Sequence, residues 1–185
     1  VKQLKFYGLG GQGVVTAAKT LSIAVSIYED AYAVTIPAYG HERRGAPVYT
    51  DMVIDSEPIK TNCFVYVPDI VIVLDDSIID KHKQVDVSKG KHKDTILVLN
   101  TGSEEMAKRY GERYGFRDIY YVNGTEVALR SIGHGIPNGS MLGALAKTGV
   151  VKIESVEEAL KQVFKKAGDE NANAARSAYE NTKKL

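Results

Sequence analysis

Cysteine is nearly absent from this 185-residue sequence, which has Cys63 alone. That excludes an internal disulfide framework. It also excludes an iron–sulfur cluster held by this chain by itself, which requires about four thiolates. Cys63 lies in the apolar run Cys63-Phe64-Val65-Tyr66-Val67, so the sequence predicts a buried, inert thiol and fits a cytoplasmic setting. An excess of one charge is also lacking. The 24 Lys and Arg against 23 Asp and Glu leave a net charge of +1, which gives no global pull toward nucleic acid or an anionic membrane. Any anion site must therefore come from local clustering. No apolar run reaches the ~20 residues of a membrane span, and Val1-Lys2-Gln3-Leu4-Lys5 does not read as a signal peptide. No His/Cys/Asp cluster has metal-ligand spacing, and there is no repeat or low-complexity tract.

What is present suits one domain over 1–185, long enough to bury a real core. Lys2 to Tyr7 reads as a strand, Val14 to Tyr28 as a helix and Ala31 to Ile36 as a second strand. Val48 to Ile54, the turn Asp55-Ser56-Glu57-Pro58 and Ile59 to Asn62 look like a hairpin. The continuous β-branched run Ile70 to Leu74 suits a strand buried on both faces, and Thr95 to Leu99 and Ile119 to Val122 are further strands. Lys81 to Lys93 reads as a solvated loop, with His82 and His92 in it. Helices are predicted over Ser103 to Tyr114, from Asn123 to near Gly133, and over Ser140 to Lys147. The pattern Ser155-Val156-Glu157-Glu158 matches a capping box and starts a helix at Val156. A weaker one, Asn171 to Lys184, is expected along the surface. Strands alternating with helices predict an α/β three-layer α/β/α domain with a mixed, mostly parallel sheet and a Rossmann-like start.

The first strand runs into Gly8-Leu9-Gly10-Gly11-Gln12-Gly13 and then a helix. This arrangement aims backbone N–H groups and a helix N-terminus at phosphate. A dinucleotide site would also need an acid at the end of the second strand to hold the ribose. That strand ends Thr35-Ile36-Pro37-Ala38-Tyr39, and Glu29 and Asp30 lie at its wrong end. An ordinary NAD site is therefore disfavoured. Gln12 points to a ligand or partner, because a polar amide at a glycine-lined turn offers little to packing. Arg43 and Arg44 follow the second strand; if the first two strands run parallel, these arginines and the glycine loop open on one side as a diphosphate clamp. The alternative gives the glycines a packing role alone and makes the arginines surface charges or partner contacts. His41 and His134 lack a nucleophile or metal partner at useful spacing.

The stretches Gly8 to Ala18, Pro37 to Pro47, Pro68 to Leu74 and Pro137 to Ala144 occur in this order along nearly the whole chain. Together they resemble the gamma subunit of the 2-oxoacid:ferredoxin oxidoreductases. The resemblance implies one subunit of a complex that converts a 2-oxoacid and coenzyme A to acyl-CoA and carbon dioxide while reducing ferredoxin. Thiamine diphosphate, Mg2+ and iron–sulfur clusters would sit on alpha, beta and delta-type partners, with no complete catalytic site on this chain. By the same resemblance Gly10, Gly11, Gln12 and Gly13 would approach the CoA phosphates, with Arg43 and Arg44 holding their charge. Asn138 would add a polar contact, and Tyr39 could flank the adenine. The motif Glu42-Arg43-Arg44-Gly45-Ala46-Pro47 is closer to the pyruvate and branched-chain oxoacid branches than to the 2-oxoglutarate branch. Two other readings stay open: a purely structural assembly subunit, and a free-standing nucleotide-binding protein. The isolated chain could also self-associate.

Overall fold

In the computed structural model, which describes residues 1–38 and 43–185, seven strands form one sheet in the order β2-β3-β1-β4-β5-β6-β7. They are β1 (Lys2–Leu9), β2 (Tyr32–Pro37), β3 (Pro47–Asp55), β4 (Ile70–Val73), β5 (Ile96–Asn100), β6 (Asp118–Val122) and β7 (Lys183–Lys184). β1, β4, β5 and β6 are parallel neighbours, whereas β3 pairs antiparallel with both β1 and β2, and β7 antiparallel with β6. The sheet is thus mixed and mostly parallel in its centre, as the sequence predicts.

The two-residue alternation of strands divides the core in two. Leu4 and Phe6 of β1, Met52 and Ile54 of β3, and Ile70 and Ile72 of β4 face one side. There they meet α1 (Val14–Tyr28), α5 (Asn138–Ala146), α6 (Ile153–Phe164) and α7 (Gly168–Asn181). Tyr7, Val71, Val73, Leu97 and Leu99 face the other, against α2 (Ile78–Lys81), Val87 and α3 (Glu104–Tyr114). α4 (Gly124–Ile132) packs beside α5 and α7. Every residue of β4 is buried, which is why its sequence is apolar without alternation. Local chemistry sets several helix starts: the Ser103 hydroxyl accepts the Met106 N–H, and the Asn123 side chain accepts the Glu126 N–H.

Five sequence expectations are corrected. The hairpin does not form with Ile59 to Asn62; no strand lies at 59–67, and the antiparallel partners of β3 are β1 and β2. Cys63 is exposed rather than buried, because Val65 is the residue of that run that turns inward. The stretch 81–93 is not wholly solvated: Val87 is fully buried, and His92 lies 3.3 Å from a carboxylate oxygen of Asp69. The α6 helix begins at Ile153, so Ser155 is buried inside its first turn and caps nothing; its N-cap residue, Lys152, is held by its N–H to Glu29. Finally, α7 does more than lie along the surface: Ala172, Ala174, Ala175 and Ala178 are buried on one face, while Asp169, Glu170, Asn173, Glu180 and Asn181 stay exposed on the other. It lies directly on α5, all nine residues of which are buried. A Cβ at Gly143 would stand 1.9 Å from the Ala175 carbonyl oxygen, so only glycine permits this approach.

Candidate functional site: a glycine and arginine groove

β1 and β2 are both antiparallel to β3, so they run in the same direction and their carboxyl ends open on one side of the sheet. The glycine loop leaves β1 at that side, and the chain returns through Arg43 and Arg44 to the start of β3. The two segments are joined by backbone. Gly10 and Arg44 form a parallel bridge, Gly10 N–H donates to Ala46 O at 2.8 Å, and Gly45 N–H donates to Gly10 O at 3.0 Å. A Cβ on Gly10 would stand 2.3 Å from the Arg43 carbonyl oxygen, so the close approach requires glycine there. Gly11 and Gly13 take φ of 94° and 75°, the left-handed region that turns the chain sharply into α1.

The α1 N-terminus has no side-chain cap and no acid in its first turn. Its first N–H groups have no partner within the helix, and the helix dipole adds positive potential at that end. Gly10, Gly11, Gly13 and Thr16 line a groove of about 580 Å3 opposite Arg43 and Arg44. Both arginines are exposed, while Val15, Val48 and Tyr49 supply an apolar wall. Backbone donors, a helix end and two guanidiniums facing one cavity suit an anion with several oxygens, such as a diphosphate. The apolar wall suits a ligand with an organic arm. Thr16 and Tyr49 were not singled out from sequence. Thr16 could have been, since it lies in the first turn of α1.

Two expected site residues do other work. The Gln12 side-chain oxygen accepts the Leu9 N–H at 2.8 Å, and its Nε2 donates to Asp75 Oδ2 at 2.6 Å. Gln12 therefore braces the loop and does not line the groove. Its bond to Asp75 spans the gap between β1 and β4, where the connecting helices change faces of the sheet. That is the crevice in which such sheets ordinarily take a nucleotide, and here a side-chain pair bridges it. Asn138 is 7% exposed, and its Oδ1 accepts the Gly139 N–H. It backs the loop from behind: a Cβ on Gly13 would lie 2.5 Å from its Nδ2. The edge position of β2, two strands from β1, also departs from a dinucleotide fold, in which the second strand lies parallel beside the first. Tyr39 and His41 lie outside the described residues, and His134 is exposed on the turn before α5.

The fold and groove define an α/β protein with a cavity between a glycine loop and an arginine pair, and with the nucleotide crevice bridged. The chain belongs to the pyruvate ferredoxin/flavodoxin oxidoreductase family, whose model matches residues 3–181. It is 43% identical over 184 residues to the "Pyruvate/ketoisovalerate oxidoreductases common subunit gamma" of Pyrococcus furiosus, covering 97% of this chain and 96% of that one. The crystal structure of pyruvate oxidoreductase subunit PORC from Thermotoga maritima superposes with a TM-score of 0.84 at 31% identity, covering 99% and 97% of the two chains. A 2-oxoglutarate:ferredoxin oxidoreductase from Magnetococcus marinus, solved with 2-oxoglutarate, coenzyme A and succinyl-CoA bound, shares the fold at a TM-score of 0.67 and 16% identity. The match covers 97% of this chain and 30% of that one.

Proposed function

We propose that this chain is the gamma subunit of a multisubunit 2-oxoacid:ferredoxin oxidoreductase of the pyruvate/ketoisovalerate type, and that its groove takes the phosphates of coenzyme A. The complex oxidatively decarboxylates a 2-oxoacid; CoA accepts the acyl group, carbon dioxide leaves and ferredoxin takes the electrons. The chain acts as one cytoplasmic domain. Thiamine diphosphate, Mg2+ and the clusters belong to alpha, beta and delta-type partners, in keeping with the single cysteine of this sequence. Likeness to gamma subunits over nearly the whole chain supports the subunit role.

The observation that carries the CoA role is the bridge that sets Arg44 beside Gly10 at a groove with an uncapped helix end. CoA supplies the thiol that receives the acyl group. This chain's part is to hold its phosphates: Gly11, Gly13 and the first turn of α1 offer N–H groups, Arg43 and Arg44 offset the charge, and Val15, Val48 and Tyr49 offer apolar surface to the arm. Each charge-assisted contact contributes about 1.5–3 kcal/mol. Arg43→Ala combined with Arg44→Ala should therefore raise the apparent KM for CoA at least roughly tenfold in the assembled complex. An unchanged KM with assembly intact would leave the chain an assembly subunit without ligand contact.

A further inference from the structure

We propose that the sheet face around the buried Lys5–Asp51 pair docks an acidic surface of another subunit, with an anchoring side chain seated in the aromatic cavity beside that pair. The inference rests on the subunit reading above and concerns a second cavity, which shares only Tyr49 with the arginine groove.

On the face opposite α1, helices cover β4, β5 and β6, but among the described residues none covers β3 or β2. A strap, residues 59–67, crosses there instead. It is pinned at Val65 by both backbone groups: the N–H donates to Asp51 Oδ2 at 2.7 Å, and the carbonyl accepts from Lys5 Nζ at 2.9 Å. With Val65 turned inward, its neighbours must turn outward. Phe64, Tyr66 and Val67 are 44%, 75% and 52% exposed. An extended segment held at one residue by a buried ion pair presents its apolar side chains in a fixed position. A cavity of about 380 Å3 opens between Phe64, Tyr66, Tyr7 and Tyr49, with Asp86 and Lys89 at its wall. The Tyr7 phenol, on a residue only 7% exposed, lines that cavity and has no hydrogen-bond partner among the described residues. Exposed aromatics around a preformed pocket containing an unpaired hydroxyl are what an interface anchor requires.

Charge identifies the occupant. Residues 81–93 carry five lysines and one aspartate, so this segment holds +4 while the remainder of the chain holds −3. It lies directly against the strap: a Cβ on Gly90 would stand 1.8 Å from the Tyr66 carbonyl oxygen, and Lys89 lines the cavity. None of the five lysines forms an ion pair among the described residues. A net-positive segment packed on the strap, with Lys89 in the cavity wall and Lys83 next to the lining residue Gln84, is complementary to a protein surface with carboxylates around an apolar side chain. A polyanion such as RNA fits less well, because the rest of the molecule would repel it.

The test is made on the purified complex. Lysine acetylation rates are compared between the isolated chain and the assembly, followed by zero-length carbodiimide coupling. Acetylation of Lys83 and Lys89 should slow at least tenfold on assembly, and both should couple to carboxylates of another subunit. The exposed variant Lys83→Glu/Lys89→Glu, with its melting temperature checked against the parent chain, should weaken association at least tenfold at low salt and flatten its salt dependence. Tyr66→Ser should weaken it equally at all salt concentrations. Equal acetylation in the free and assembled chain, coupling only between two copies of this chain, or protection by added single-stranded RNA in place of the subunits would each overturn the proposal. Co-purification with unprotected lysines refutes this docking face alone. A chain that joins no such complex refutes the subunit reading with it.

Discussion

Replacing Lys5 with methionine isolates the cost of the buried ion pair. Asp51 is fully buried and accepts three hydrogen bonds: two from Lys5 Nζ, at 2.9 and 3.1 Å, and one from Val65 N–H. Lys5→Met leaves the carboxylate in the same place with the Val65 N–H alone. Removing one partner of a buried pair costs about 3–5 kcal/mol, because the stranded charge keeps its desolvation penalty. For a chain of this length that corresponds to a fall in Tm of roughly 6–20 °C. Adding Asp51→Asn to Lys5→Met should restore part of the loss. The neutral amide can still accept from Val65 N–H, and it offers Nδ2 to the Val65 carbonyl that Lys5 had satisfied. The double variant should exceed Lys5→Met by at least about 1 kcal/mol in urea unfolding, since half-satisfied buried charge is worse than a neutral pair. A double variant no more stable than Lys5→Met would show that the stranded charge is not the source of the cost.

Two further predictions concern the loop and the tyrosines. Gln12→Glu places a carboxylate against Asp75 and removes the donor between β1 and β4; it should lower stability by about 1–3 kcal/mol in denaturant unfolding, with the loss reduced by salt. Burial pushes the Tyr7 and Tyr110 phenols well above the ordinary tyrosine range, with Asp51 and Asp86 adding to the shift at Tyr7, and Tyr114 at Tyr110. An acid whose folded pKa is raised keeps its proton in the folded state after the unfolded chain has lost it. Stability should then be full below about pH 10 and fall as pH rises through it. Absorbance at alkaline pH should show at least two of the 11 tyrosines still protonated until the protein unfolds.

Most of the frame was legible because periodicity and punctuation coincide in it. β4 announced itself by an unbroken β-branched run, and α3 and α4 by a capping residue at one end and a left-handed glycine at the other. The hairpin failed because Asp55-Ser56-Glu57-Pro58 signals a turn without specifying a strand partner on its far side. Residues 59–67 find no strand to pair with, and Asp51 and Lys5 hold them instead through Val65. The buried face of α7 was not legible because alanine and asparagine carry little hydropathy. Small side chains are what let it lie against Gly143, so burial there comes from close approach rather than bulk. At the candidate site, the glycines and arginines were legible as a set, and the structure brings Gly10, Gly11, Gly13, Arg43 and Arg44 to one groove. The other two residues have partners within the fold. Gln12 is committed to Asp75, 63 positions away, and Asn138 packs behind Gly13 from α5; single-residue chemistry carries no sign of either partner.

The seating of α7 on α5 has a consequence for the order in which the molecule is made. Strands β1 to β6 and the helices between them are synthesised before α7, yet the apolar α5 at their centre is covered only when Gly168–Asn181 arrives. A nascent chain that has produced everything up to residue 167 holds a nearly complete sheet and a helix with one greasy side open to the cell. During that interval the uncovered apolar surface is prone to self-adhesion. The arrival of α7, rather than pairing of the strands, is the event that seals it.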